Sequence, residues 1–167
     1  MFFRVTRPLQ SNCSSRLGKR AKKGGLTIRK NAIIGMHHIC IVVGSYAEIE
    51  KLYVDLLGME IHAESYSIEK KRRKIELYLN GTYIIEAFIY DVRRAAKRES
   101  DQVGFDHVSF LVNDVEAVRD SLLKSRYEVS PIMSDLSTGK DYAFFFNEDG
   151  IKHEIYCTSR AGTLEKR

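Results

Sequence analysis

HHICIVVGSYAEIEK, His37–Lys51, holds the first strand and helix of a pattern that the chain later repeats. Two histidines head a run of apolar or thiol residues, Ile39 to Val43, which reads as a strand. Ser45, with Glu48 three residues on, has capping-box spacing and starts a helix. Ile49, Leu52, Tyr53, Leu56 and Leu57 keep helical spacing, and Gly58 ends the run. MEIHAESY (59–66), KIELYLN (74–80) and TYIIEAFIY (82–90) then read as strands, and Asn80-Gly81 between the last two is a strong hairpin signal. The first half is therefore strand, helix, strand, strand, strand.

The same order returns after a charged stretch, DVRRAAKRESD (91–101). FDHVSFLV (105–112) is a strand, and Asn113 with Glu116 repeats the cap spacing. Val115, Val118, Leu122 and Leu123 supply an apolar helix face. YEVSPIM (127–133), DYAFFFN (141–147) and IKHEIYC (151–157) follow as strands, with turn signals at Ser137–Gly139 and Asn147–Gly150. At an offset of 69, His38 meets His107, Val43 meets Val112 and Ile49 meets Val118. After the helix the offset is 68, so Ile61 meets Val129 and Glu86 meets Glu154. The chain is thus a tandem duplication of two βαβββ modules in an α+β domain, one residue shorter in the second helix region.

Composition bounds what such a domain does. With 167 residues, 44% of them hydrophobic, the chain has material for one core. No apolar run approaches the roughly 18–20 residues of a membrane span, so a soluble protein without membrane contact is expected. Nine of the 27 Lys and Arg, and none of the 22 Asp and Glu, fall in residues 1–35, so the net charge of +5 belongs to the leader and the remainder is mildly acidic. That excludes a nucleic-acid-binding body. The leader reads as a disordered basic tail, or as an extension upstream of a start at Met36, in preference to an organelle transit peptide. The three cysteines, Cys13, Cys40 and Cys157, form no paired motif, which points to a reducing cytoplasm. The expected organisation is a leader (1–35), a domain (36–157) made of modules 36–90 and 105–157 with a linker 91–104, and a tail (158–167).

The duplication turns four residues into a candidate site. His38 and His107 head the first strand of each module, and Glu86 and Glu154 lie in the last strand of each. A mid-strand carboxylate among apolar neighbours is costly to bury unless paired or bound to metal. If an approximate twofold brought the pairs together, two imidazoles and two carboxylates would suit a divalent ion: Ni, Zn, Co, Mn or Fe. Taken singly, each histidine reads more plainly as a satisfied core or edge residue; the duplicate register favours ligation. His37 and His153 each adjoin a proposed ligand and so face the other way, and His62 has no counterpart, so these three read as structural or surface groups. Cys40 and Ser109 share the face of the proposed histidines, with core packing the preferred role for Cys40. Tyr142, Phe144 and Phe146 read as a core stripe in preference to a cleft wall. Lys140, Arg72 and Arg73 are candidates for an anionic substrate, with a solvated charged strand end preferred for the two arginines.

Together these features resemble the vicinal oxygen chelate (VOC) superfamily, and within it the small bacterial glyoxalase I-like proteins. HHICIVVGSYAEIEKLYVDLLGMEI, GTYIIEAF, DHVSFLVNDVEAV and TGKDYAFFFNEDGIKHEIY carry the likeness, over residues 36–157. The resemblance implies a curved mixed sheet around a metal-binding cleft, the glyoxalase/bleomycin resistance/dioxygenase fold. It also implies a homodimer, in which some members build the site across the interface. His38, Glu86, His107 and Glu154 would be the metal ligands, with Glu154 first and Glu86 second as the catalytic base. The activity implied is that of a lactoylglutathione lyase-like isomerase, converting a hemithioacetal of a 2-oxoaldehyde such as methylglyoxal through a metal-bound enediolate. Another VOC enzyme, an epimerase or dioxygenase, and a non-catalytic small-molecule-binding module are the alternatives. Related subfamilies lack a glutamate at the Glu86 position. Asn147-Glu148-Asp149-Gly150 and Ile151-Lys152-His153-Glu154 replace the D-P-D-G and L-P-L-E usual in close relatives.

Overall fold

The computed structural model describes residues 33–92 and 103–160, without the side chains of 159 and 160. Most of the expected leader, linker and tail lies outside the described residues. The first module runs β1 (Ile39–Val42), α1 (Tyr46–Glu48) continuing as a π-helical run (Ile49–Leu56), β2 (Glu60–Ser67), β3 (Arg72–Leu79) and β4 (Thr82–Tyr90). The second runs β5 (Val108–Val112), α2 (Val115–Lys124), β6 (Glu128–Val129), β7 (Met133–Ser134), β8 (Lys140–Phe146) and β9 (Lys152–Arg160). The expected single strand over 127–133 is split into β6 and β7 because Pro131, between them, has no N–H to give a ladder.

The modules form two mixed sheets, ordered β1-β4-β3-β2 and β5-β9-β8-β6, with β7 also on β8. In each, the first strand is an edge and lies parallel to the last. Their registers repeat: Cys40 pairs with Glu86, and Ser109 with Glu154. One face of each sheet is core. Ile41, Ile75, Leu77, Ile85 and Ala87 from one, and Phe110, Ala143, Phe145 and Ile155 from the other, join a single apolar cluster with Ile49, Leu52, Val115 and Leu122 of the helices. Each fully buried aliphatic side chain contributes roughly 1.5–3 kcal/mol.

The helices explain the change of offset. Leu57 N–H bonds to Leu52 O at 2.9 Å, the five-residue step of a π-helix, whereas α2 is regular. The wider winding absorbs the residue by which the first module exceeds the second. Ser45 Oγ accepts from Glu48 N–H as the cap pattern predicts. The Glu48 carboxylate does not return the bond: it is buried, accepting from Tyr127 OH at 3.1 Å and Glu148 N–H at 3.2 Å. In the second module the cap is Asp114, accepting from Ala117 N–H, not Asn113. The first helix thereby rests on the second module, where Tyr53 OH also donates to the buried His153 at 3.1 Å.

Candidate functional site

The opposite face of each sheet carries the four singled-out residues. In the first module His38 Nε2 lies 4.0 Å from Glu86 Oε1. In the second, His107 Nε2 lies 3.6 Å from Glu154 Oε2. Side-chain exposures of 28% and 17% in the first pair, and 30% and 13% in the second, leave both pairs half-open to solvent. Both separations exceed a hydrogen bond. They fall within the spacing of about 3–4 Å expected of two donors sharing one ion at about 2.0–2.2 Å from each. The structure brings together the members of each pair but not the two pairs: among the described residues no group of three or more His, Cys, Asp or Glu side chains is placed to hold a metal ion.

The surroundings of the pairs differ. Glu86 Oε2 accepts from Tyr83 OH at 3.3 Å and lies 3.4 Å from Lys74 Nζ, which also bonds Glu76 at 2.6 Å. The Lys74 ammonium is held above its usual range, chiefly by the Glu76 bond. Burial and then the Glu86 charge raise both the Tyr83 hydroxyl and the Cys40 thiol. His38 Nδ1 meets His37 Nδ1 at 2.7 Å, and an aromatic row, His62 on Tyr78 on Tyr83, reaches the His38 ring. His62 and His37 thus border the site face, closer to the pair than the sequence suggested. In the second module His107 Nδ1 meets Asp106 Oδ2 at 2.7 Å, and Lys152 Nζ bonds the same oxygen at 2.9 Å. These two bonds, that of His107 first, hold the Asp106 carboxyl down at about 2.

Several expectations change. Cys40 is exposed beside Glu86 and is not a core residue, because β1 turns Ile41 inward instead. Tyr142, Phe144 and Phe146 are not a core stripe: Ala143 and Phe145 fill the core, and Phe144 faces Glu154 across β8 and β9. Arg72 is not a solvated strand end, since its guanidinium lies 3.5 Å over the Phe88 ring and bonds Tyr90 OH. Arg73 is exposed and paired with Glu64, and Lys140 sits 5.8 Å over Tyr156. Sequence reasoning missed Lys74, Glu76, Tyr83 and Asp106. A hollow of about 510 Å³ lined by Tyr46, Tyr66, Arg73, Ile89, Tyr90 and Asp91 includes none of the four. Its polar groups already satisfy one another or a neighbour, Tyr66 with Asp91 and Arg73 with Glu64, so the duplicated pairs are the better candidate.

Comparison with known proteins bears on the fold. Residues 35–155 match the model of the Glyoxalase/Bleomycin resistance protein/Dioxygenase superfamily. The chain belongs to that superfamily. Over 121 residues it is 32% identical to YwkD of Bacillus subtilis, covering 72% of this chain and 94% of that one. The crystal structure of a glyoxalase family protein from Enterococcus faecalis superposes with a TM-score of 0.65 at 32% identity, covering 73% of this chain and 96% of that one. The trypanothione-dependent glyoxalase I of Leishmania major, at 23% identity and a TM-score of 0.60 over 74% of this chain and 86% of its own, shares the superfamily fold. Among the described residues no helix is long and apolar enough to cross a membrane.

Proposed function

We propose that the protein is a metal-dependent, glyoxalase I-like isomerase acting as a homodimer on the hemithioacetal of a 2-oxoaldehyde and a thiol. A divalent ion would be held by His38 and Glu86 of one copy together with His107 and Glu154 of a second. The observation that carries this reading is the repeated histidine–glutamate pair, present twice per chain on open sheet faces and gathered only as halves. Val42 and Leu111, equivalent by the repeat and 51% and 69% exposed, flank these halves on edge strands β1 and β5 and supply apolar surface for a second copy.

Two imidazoles and two carboxylates suit Ni, Zn, Co, Mn or Fe. A bound ion would supply Lewis-acid stabilisation of charge on neighbouring substrate oxygens. The chain supplies the proton transfer. Glu86 is tied by Tyr83 and Lys74, whereas Glu154 has no comparable donor among the described residues, which favours Glu154 as the base that moves a proton between adjacent carbons. Such a base contributes about 10²–10⁴-fold. Phe144, beside Glu154 and edge-on to His107, gives that side an apolar wall. Metal analysis of the full chain, joined to turnover across a panel of metals and hemithioacetals, tests the reading. One ion per chain with isomerisation of at least one thiol adduct is expected; a metal-loaded dimer inert toward every adduct overturns it.

A further inference from the structure

Imidazole offers an ion a lone pair only on a nitrogen that carries no proton, and the partner of the other nitrogen decides which one that is. His107 has such a partner. Its Nδ1 sits 2.7 Å from Asp106 Oδ2, a carboxylate that only accepts, so Nδ1 carries a proton and, in the neutral ring, the lone pair lies on Nε2, 3.6 Å from Glu154 Oε2. Asp106 is itself held. Lys152 Nζ donates to the same oxygen at 2.9 Å while lying 4.1 Å over the Phe144 ring, and Phe144 packs edge-on against His107 with centroids 5.2 Å apart. Ring, carboxylate, ammonium and aromatic face form one closed clamp.

The first module has no such clamp. At the repeat position of Asp106 stands His37, whose Nδ1 meets His38 Nδ1 at 2.7 Å. Either ring can donate in that contact, so the geometry leaves the His38 tautomer open. The duplication has kept the ligand pair and changed the residue behind the histidine. One half is set in advance and the other is not.

We infer that Asp106, anchored by Lys152, is a positioning residue that fixes the Nδ1–H tautomer of His107 and presents Nε2 to a divalent ion. This rests on the metal-centre reading above for its purpose, but not for its first measurement. Side-chain ¹⁵N NMR of the metal-free full chain, at a pH where imidazoles are neutral, reads the tautomer directly. The wild type and Asp106→Asn, whose amide oxygen still accepts, show His107 protonated on Nδ1; Asp106→Ala moves the proton to Nε2 or leaves a mixture. Competition for Co²⁺ with a chromophoric chelator then shows affinity falling about 10–100-fold in Asp106→Ala and recovering most of the way in Asp106→Asn. Lys152→Met, which keeps the stem over Phe144, gives a smaller loss of the same kind. An unchanged His107 tautomer in Asp106→Ala overturns the inference, as does a Co²⁺ affinity that Asp106→Ala leaves untouched while the wild type binds. If no variant and no wild type binds Co²⁺, the metal-centre reading fails and the tautomer result alone decides the role of Asp106.

Discussion

Glu76 stands directly opposite Glu86 across β3 and β4, and Lys74 Nζ bridges them at 2.6 and 3.4 Å. Like charges facing each other across strands cost about 0.2–1 kcal/mol. Lys74 offsets that cost without a metal. Lys74→Met should therefore lower the stability of the metal-free protein by a fraction of a kcal/mol, and added Co²⁺ or Zn²⁺ should stabilise the variant more than the wild type. Thermal unfolding with and without metal checks this; equal metal-induced shifts in the two proteins would refute it.

A site divided between copies has a signature that a site within one chain lacks. His38→Ala and His107→Ala should each abolish turnover alone. Co-expressed, they form heterodimers in which one site collects both lesions and the other collects none. Random pairing then restores about a quarter of wild-type turnover. Were all four ligands drawn from one chain, every site would keep a lesion and nothing would return.

The two glutamates should separate by role. Glu154→Gln is expected to reduce kcat by about 10²–10⁴-fold. Glu86→Gln, losing a carboxylate already fixed by Tyr83 and Lys74, should weaken metal binding more than it slows the saturated enzyme. Metal titrations run beside turnover distinguish the two, and equal effects on both measures in both variants would contradict the assignment.

The two modules were legible because each first strand, cap, helix stripe and turn obeys local rules, and the His38/His107 and Glu86/Glu154 registers follow from counting. What surrounds Glu86 was not. The Asn80-Gly81 turn alone predicts that Glu86 faces Ile75, but the register shifts between Leu77 and Tyr78, bringing Glu76 opposite Glu86 and turning Ile75 into the core. The extra residue is Ile84 on β4, and counting back from the turn does not announce it. Glu48 shows the same limit: its spacing from Ser45 is that of a cap, while its carboxylate answers to Tyr127, 79 residues away.

Tyr53 and His153 close the contact between modules. His153 Nδ1–H donates to Ile151 O at 2.8 Å, so Nε2 accepts from Tyr53 OH, and the ring stacks on Phe145 with centroids 4.9 Å apart. Tyr53→Phe removes the donor and leaves a buried acceptor unpaired, costing about 1–3 kcal/mol. Denaturant unfolding should show that loss with an unchanged slope. A neutral result would mean that Tyr53 OH contributes nothing to the contact.

Glu48 makes stability depend on pH in a definite sense. Burial, the largest influence on it, raises its carboxyl above the ordinary value, against the bonds from Glu148 N–H and Tyr127 OH. The neighbouring Glu148 charge raises it further and Lys51 opposes. The native state thus holds the proton to higher pH than the unfolded chain, where glutamate titrates near about 4.3. Below that value both states are protonated and the contribution is fully present. It is lost as pH rises through the native value, because a buried group must then ionise. Glu48→Gln cannot ionise; its amide oxygen can accept from Glu148 N–H while its NH2 donates to the Tyr127 hydroxyl oxygen. Its stability relative to wild type should therefore improve between pH 4 and neutrality. Unfolding free energies of both proteins across that window, compared by difference, check the sign; a difference that is flat or runs the other way would show that the native fold does not raise the Glu48 carboxyl.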